Sequence, residues 1–250
     1  MKIVKIALDA GHGLYTSGKQ TPDGIKEWTL NDKIRDKVVL FLKDYNVEII
    51  HTDNDEGETD ESLSSRLSRY KKEGVDAFCS IHHNAFTSEW NDATGVEIYT
   101  DKNPTEDDIK LAQAVYKRLV EYTGLTGRGI KRANFTVINQ NAIPAILVEG
   151  GFMDGKEDYK YIISEEGQTA YARAVAEGLV EFLKLEKRGN NMEHPFVDVK
   201  GHYAEEAISD LYKMGIVKGI TEGRFMPTEP IKRGDAAIMI RNAIKFITGK

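Results

Sequence analysis

The chain has 250 residues, of which 40% are hydrophobic and 30% are charged. This length and composition indicate a folded protein with a substantial core and exclude a disordered chain. The formal net charge of −6 does not favour nucleic-acid binding, which usually needs a basic surface. The sequence contains no run of about 18 apolar residues, which is the length needed to span a membrane. No leader with a cleavage site precedes the first strand-like segment, so we expect cytoplasmic accumulation without a signal peptide.

Apolar patterns predict alternating strands and helices over the first three quarters of the chain. Short runs rich in β-branched residues predict about six strands, at 3–8, 47–51, 75–82, 95–100, 135–138 and 145–148. Helical spacing of apolar residues predicts helices at 28–45, 62–72, 105–122 and 167–185. Because strands that alternate with helices usually lie parallel, we expect an α/β fold with a twisted sheet flanked by helices.

A polar stretch separates this region from a second, smaller one. Charged residues, Gly and Asn dominate residues 186–194, as is typical of a linker. The sequence therefore predicts a domain at 1–185, a linker at 186–194 and a module at 195–250. Two helical patterns flank a Gly-rich loop in this module, so we expect it to be small and mainly α-helical. Such a small core favours self-association or docking on the larger domain.

Three short polar motifs each follow a predicted strand. They are Gly11-His12-Gly13 after the first strand, residues 80–84 at the end of the third, and residues 148–151 after the last. The carboxyl ends of parallel strands share one edge of a sheet, so we expect these motifs to lie close together. The single cysteine, Cys79, lies in a predicted strand, which excludes a multi-cysteine zinc cluster and favours a buried, inert thiol.

The side chains of these motifs have the chemistry of a zinc hydrolase. Such enzymes commonly hold zinc with three His or carboxylate ligands and leave one position for water. His12, Glu27 and His82 can supply the ligands. Glu149 ends an apolar strand, where a carboxylate is costly to bury, and it is the candidate proton carrier. Taken singly, each residue has a plainer explanation: a strand-end histidine is often only hydrogen-bonded, and Glu27 also suits a helix N-terminus.

Read together, the motifs resemble the zinc-dependent N-acetylmuramoyl-L-alanine amidases of amidase family 3, which include bacterial cell-wall amidases and phage endolysins. The resemblance covers residues 3–184 and rests on Leu8–Gly13, Glu27, Ser80–Ala85, Arg128–Lys131, Ala133–Phe135 and Pro144–Phe152. It implies a mixed, mostly parallel sheet, zinc ligands His12, Glu27 and His82, and the catalytic carboxylate Glu149. The implied reaction is hydrolysis of the amide between N-acetylmuramic acid and L-alanine. Arg66 matches an arginine of the family and is expected to be structural.

The module at 195–250 resembles a surface-layer homology repeat. The resemblance rests on Phe196–Val199, His202–Ala204, Gly215–Gly219, Gly223–Pro227 and Ile231–Ala236. Such repeats bind anionic secondary polymers of Gram-positive walls, which implies contacts from Arg233 and Lys232, because a guanidinium binds carboxylates bidentately. Gly234 and Asp235 depart from the usual Ala and Glu. Only one repeat is present, so we expect weak binding, or tighter binding through a homo-oligomer.

Together, the two resemblances predict a lytic amidase whose partners are peptidoglycan and an anionic wall polymer, with neither nucleic acid nor a membrane span involved. A phage or prophage endolysin is the preferred interpretation. Three alternatives stay open: a host autolysin or sporulation mother-cell amidase with the same chemistry, a peptidase that cuts within the stem peptide, and a wall-binding protein whose enzyme half is degenerate.

Overall fold

The computed structural model describes residues 3–139, 142–187 and 194–248. The chain divides into two compact units, Met1–Lys187 and Arg188–Lys250. Most of the predicted linker, residues 188–193, lies outside the described residues. In the part of the chain that is described, every helix is too short or too polar to cross a membrane.

The first unit contains one six-stranded sheet. Its strands are β1 (Val4–Ala10), β2 (Val47–His51), β3 (Ala77–Asn84), β4 (Val96–Asp101), β5 (Gly127–Ala133) and β6 (Ala145–Phe152). They lie in the order β2-β1-β3-β6-β4-β5. Neighbouring strands are parallel except at the β6–β4 pair, which is antiparallel. The mixed, mostly parallel α/β sheet implied by the sequence is therefore confirmed.

Helices cover both faces of this sheet. They are α1 (Glu27–Leu42), α2 (Leu63–Glu73), α3 (Glu106–Thr123), α4 (Lys156–Ile162) and α5 (Glu165–Leu183). Because side chains alternate across a strand, β3 contributes to two separate cores. Cys79 and Ile81 are buried in the core that includes residues of α1, α3 and α5, while Phe78 stacks on Tyr70 of α2 on the other face. Burial raises the pKa of the Cys79 thiol, which fits an inert cysteine.

Two predictions of secondary structure were wrong. Residues 135–138 do not form a strand; Thr136–Ile138 is a short 3-10 turn, held by a 2.7 Å hydrogen bond from the Tyr70 hydroxyl to the Val137 carbonyl. The strand that was missed is β5, a strand at the sheet's edge with no fully buried residue. Its sequence therefore lacks the apolar alternation that identifies a half-buried strand.

The second unit has two helices, α6 (Glu205–Lys213) and α7 (Arg233–Thr248). Its core is small and consists of Phe196, Val199 and Ile208, with further apolar side chains packed against them. This size agrees with the marginal core expected from the sequence. Helix α7 has no buried residue, and a row of its large apolar side chains is at least half exposed: Ile238, Ile240, Ile244, Phe246 and Ile247.

Candidate active site

The C-terminal edge of the sheet brings the predicted ligands together. His12 directly follows the turn after β1, His82 lies in β3, and Glu27 is the first residue of α1. One nitrogen or oxygen atom from each of these three side chains lies within 4.8 Å of the other two. The sheet geometry expected from the sequence therefore places His12, Glu27 and His82 around one point.

The Glu27 carboxylate lies between the two imidazoles. Its Oε1 is 3.1 Å from His82 Nδ1, and its Oε2 is 3.3 Å from His12 Nε2. Oε2 is buried and makes no hydrogen bond with the described residues, which is a costly arrangement for a carboxylate that only fills a structural role. Two imidazoles and one carboxylate with an unsatisfied oxygen are the donor set that a catalytic zinc ion takes.

Electrostatics keep Glu27 ionised. Burial alone would raise the pKa of this carboxyl, but His12 and His82 lower it further than burial raises it, so the pKa lies well below its usual range. An ionised carboxylate beside two imidazoles can bind a cation directly. The three residues therefore fit a metal ion by position and by ligand type.

The backbone around His12 is shaped to fit the cluster. His12 has φ 69°, in the left-handed region that few residues other than glycine adopt. Gly11 lies against the His82 ring so closely that an added Cβ would be 2.0 Å from His82 Cε1. Asn31 donates from Nδ2 to the Gly11 carbonyl oxygen at 3.1 Å, and its Oδ1 is 2.8 Å from Nδ1 of the buried His83. Strain and close approach of this kind are typical of functional sites.

A buried ion pair supports the same turn. Arg66 donates from Nη1 to Asp9 Oδ1 at 2.7 Å and from Nη2 to the His12 carbonyl oxygen at 2.6 Å. Asp9 also accepts hydrogen bonds from the Thr52 and Ser80 hydroxyls. Burial would raise the pKa of Asp9, but the Arg66 charge and the hydrogen bond from Ser80 hold it below its usual value. Arg66 thus has the structural surroundings expected from the sequence.

Glu149 lies beside the cluster on β6, in register with His82 of β3. Its Oε2 is buried and has no hydrogen-bond partner among the described residues. Burial raises the pKa of Glu149 well above its usual value, and the negative charges of Glu27 and Glu97 raise it further. A carboxyl that holds its proton more tightly than usual is suited to accept and then return a proton near neutral pH.

The sequence analysis missed Glu97, which lies opposite Glu149 in the antiparallel β4–β6 pair. Its Oε2 accepts hydrogen bonds from Arg128, at 2.7 Å, and from Lys131. Burial would raise the pKa of Glu97, but these partners and the Tyr99 hydroxyl lower it, so the group is a fixed negative charge. A glutamate in an otherwise apolar predicted strand was the available signal.

His12, His82 and Glu149 open into one cavity of about 580 Å³. Beyond these three, its lining includes both polar or charged residues and apolar ones, among them Lys19, Asp60, Ser62, Asn134 and Phe135. A cavity of this size can hold a peptide-sized substrate.

Residues 6–181 match the Amidase_3 family model, whose description is N-acetylmuramoyl-L-alanine amidase. The chain belongs to this amidase family. Residues 195–237 match the S-layer homology domain, as the resemblance of the smaller module implied.

The descriptions of individual similar proteins agree with this family. The amidase is 34% identical over 139 residues to an uncharacterised cell wall amidase of Bacillus anthracis, a match that covers 53% of this chain and 25% of the relative. The chain is also 31% identical over 188 residues to an endolysin of Bacillus phage SPP1. That match covers 72% of this chain and 66% of the endolysin. The match thus spans only a quarter of the first protein and about two thirds of the second.

A solved structure has the same fold. The N-acetylmuramoyl-L-alanine amidase of Clostridium difficile 630 superimposes on this amidase with a TM-score of 0.69 at 28% sequence identity. The superposition covers 74% of this chain and 98% of that one. The six-stranded sheet and its helices are therefore the amidase fold.

The predicted wall-binding residues lie in the second unit. Arg233 is the first residue of α7 and Lys232 directly precedes it, and both are exposed. Exposure at a helix end leaves both cations accessible to a large anionic polymer. Their contact with such a polymer stays a prediction.

Proposed function

We propose that this chain is a zinc-dependent N-acetylmuramoyl-L-alanine amidase, which hydrolyses the amide between N-acetylmuramic acid and the L-alanine of peptidoglycan. One observation carries the proposal: the two histidines of the His12, Glu27 and His82 cluster line the same cavity as Glu149. A metal site without a proton carrier would suit a binding protein, whereas the pair suits hydrolysis.

In this proposal His12, Glu27 and His82 hold the ion, and Arg66 and Asn31 fix the turn that carries His12. Zinc, when bound there, supplies Lewis-acid chemistry that polarises the amide carbonyl and lowers the pKa of water. The His12 and His82 rings are T-shaped with centroids 4.9 Å apart, and one nitrogen atom of each ring lies within 4.8 Å of the other.

Glu149 moves the protons. It accepts a proton from the water that attacks the amide carbon, and it donates that proton to the L-alanine nitrogen as the carbon–nitrogen bond breaks. Burial and the Glu97 charge, which are both independent of a metal, raise the pKa of Glu149 and so make it a better base for the first step. The amine leaves with that proton, the lactyl carboxyl group stays on the sugar, and the second proton of the water is released to solvent as this group ionises.

Within this proposal, residues 1–185 are the catalytic domain and residues 195–250 are a wall-targeting module that follows the linker. Arg233 and Lys232 contact an anionic secondary polymer of the Gram-positive wall, and the exposed apolar row of α7 pairs with a second copy of the chain. The resulting homo-oligomer would offset weak binding by a single repeat, because linked sites raise the effective concentration.

Lysis of the wall as a phage-type endolysin is the role that we favour. The identity to the endolysin of Bacillus phage SPP1 supports it. A host autolysin or sporulation mother-cell amidase would use the same residues and chemistry, and the genes on either side would separate these roles. A stem-peptide peptidase and a degenerate binding protein differ in their products and are tested directly.

The test is digestion of purified Gram-positive peptidoglycan by the full chain and by Glu149→Gln, with the released ends identified by mass spectrometry. We expect free N-terminal L-alanine and intact glycan strands from the wild type, and no release from the variant. Cleavage at other bonds of the stem peptide would show that the protein is a peptidase. No release by the wild type from several wall types would leave only a binding function.

A further inference from the structure

The cavity beside the metal cluster is lined by two cations, and only one of them is free. Arg66 is held by Asp9 and Asp60 and by the carbonyl oxygens of the turn at His12. Lys19 lines the same cavity and is exposed, and its ammonium makes neither a hydrogen bond nor an ion pair with the described residues. A charged side chain without a protein partner in a substrate cavity is available to bind an anion.

The backbone of Lys19 is anchored to the cluster. Its carbonyl oxygen accepts a 3.0 Å hydrogen bond from the amide of Glu27, the carboxylate of the candidate metal site. On one side, Thr16 Oγ1 accepts from the Gly13 amide at 3.0 Å and donates to Asp60 at 2.5 Å. On the other side, Gln20 forms a β-bridge with Lys26. The backbone that carries the Lys19 side chain is therefore held beside the site.

The other charged groups that line the cavity are mostly carboxylates and the arginine that pairs with them. Besides Glu149, it is lined by the carboxylates of Asp9, Asp60 and Glu61. Asp9 and Asp60 already share Arg66, and Glu61 accepts from the Ser65 hydroxyl and lies 3.5 Å from Arg69. Arg66 and Arg69 are thus already paired with carboxylates, which leaves the Lys19 ammonium available to an anionic group of a substrate.

The peptidoglycan stem carries such a group next to the bond that is cut. Its second residue, D-glutamate, continues the chain through its side-chain carboxyl, which leaves the α-carboxylate free. The Cα atoms of L-alanine and this residue are about 3.8 Å apart, as for any trans peptide. When the scissile amide lies at the metal cluster, this carboxylate therefore lies only one residue further along the substrate.

We propose that Lys19 binds the α-carboxylate of the second stem residue and makes the enzyme prefer stems with a free carboxylate over stems in which this group is a carboxamide. The inference rests on the proposed function, since it assumes cleavage at the first stem residue. An amide has no charge to pair with the ammonium, so its loss removes the charge-assisted part of the hydrogen bond.

The kinetic test uses two matched substrates, N-acetylmuramoyl-L-Ala-D-γ-Glu-L-Lys with either an α-carboxylate or an α-carboxamide. We expect the wild type to show a kcat/KM for the carboxylate about tenfold above that for the carboxamide, the size of one charge-assisted contact. Lys19→Gln should bring this ratio to about one, and Lys19→Arg should keep most of it. Lys33→Gln, an exposed lysine on α1 outside the cavity, is the matched control and should keep the wild-type ratio.

Two results would overturn the inference. A wild-type ratio near one would show that the carboxylate is not recognised. An equal fall of both kcat/KM values in Lys19→Gln, with the ratio unchanged, would show that Lys19 acts through the charge of Glu149, which it also influences.

A binding measurement separates failure of the inference from failure of the proposed function. The product peptide L-Ala-D-γ-Glu-L-Lys and its α-carboxamide are titrated into the metal-free full chain and followed by NMR. We expect the carboxylate peptide to bind more tightly to the wild type and equally to Lys19→Gln. Preferential binding without cleavage of either substrate would refute the amidase proposal and keep the carboxylate site, whereas equal binding of both peptides by the wild type would refute the site itself.

Discussion

Removal of the Arg66 guanidinium should destabilise the first unit strongly. Arg66 is almost fully buried and donates hydrogen bonds to Asp9 Oδ1 and to the carbonyl oxygens of Ala10, His12 and Glu61, at 2.6 to 2.9 Å. Methionine has a similar length and fills much of the same space, so Arg66→Met leaves little cavity. The main effect is then the loss of these bonds and of the charge that neutralises Asp9.

The expected magnitude follows from that isolated charge. Breaking a buried ion pair by removing one partner costs about 3–5 kcal/mol of unfolding free energy, because the remaining charge stays desolvated. A second substitution, Asp9→Asn, removes the carboxylate charge that Arg66→Met leaves unpaired. We therefore expect the double variant Arg66→Met, Asp9→Asn to be more stable than Arg66→Met alone, by at least about 1 kcal/mol.

Urea unfolding of the full chain measures this directly. Both tryptophans, Trp28 and Trp90, lie in the first unit, so their fluorescence reports the unfolding of that unit. Arg69→Met is the matched control: Arg69 is partly exposed, donates to carbonyl oxygens at 3.1 and 3.3 Å, and should cost less than about 1 kcal/mol. If Arg66→Met were as stable as the control, or if the double variant were no more stable than the single one, the reasoning would be refuted.

Three further predictions concern the metal, the turn that holds it and the surface of α7. Dialysis against a zinc chelator should abolish hydrolysis and added zinc should restore it; full activity in protein shown to be metal-free would contradict the zinc site. Gly11→Ala places a Cβ 2.0 Å from His82 Cε1 and should weaken zinc binding at least about tenfold in a competition titration, and an unchanged affinity would mean that the turn is not tightly packed in solution. Light scattering should show a mass that rises with concentration for the wild type but not for Ile244→Asp, and equal masses would argue against self-association through α7.

The sequence predicted most of the sheet because its central strands are buried on both faces. Runs such as 145–148 are apolar throughout, and helices of clear periodicity lie between them. Parallel pairing of β1, β3 and β6 then brings His12, His82 and Glu149 to one edge, so the neighbourhood of the site follows from strand order alone.

Other parts of the structure have no pattern in the local sequence that would predict them. The edge strand β5 consists of half-exposed and basic residues, and its place in the sheet depends on pairing with β4. The antiparallel direction of β4 depends likewise on a partner distant in sequence. Residues 135–138 are apolar like a strand, but Val137 is buried through contact with Tyr70, which sequence periodicity cannot show.

The charged residues that surround the site also could not be predicted from the sequence. Glu97 and Lys19 affect Glu149 through space, from a neighbouring strand and from a loop. Neither residue belongs to a motif with a recognisable spacing. His12, His82 and Glu149 could be predicted because they lie at strand ends, whereas the charges around them depend on tertiary contacts.

The most direct test of the account is a joint measurement of bound zinc and peptidoglycan hydrolysis for the wild type, Glu149→Gln and His82→Ala. The account predicts that Glu149→Gln keeps one zinc per chain and loses about 10²- to 10⁴-fold in rate, as for removal of a general base. It predicts that His82→Ala loses both zinc and activity. Loss of zinc from Glu149→Gln, or zinc retained in full by His82→Ala, would contradict the assignment of metal ligands and proton carrier.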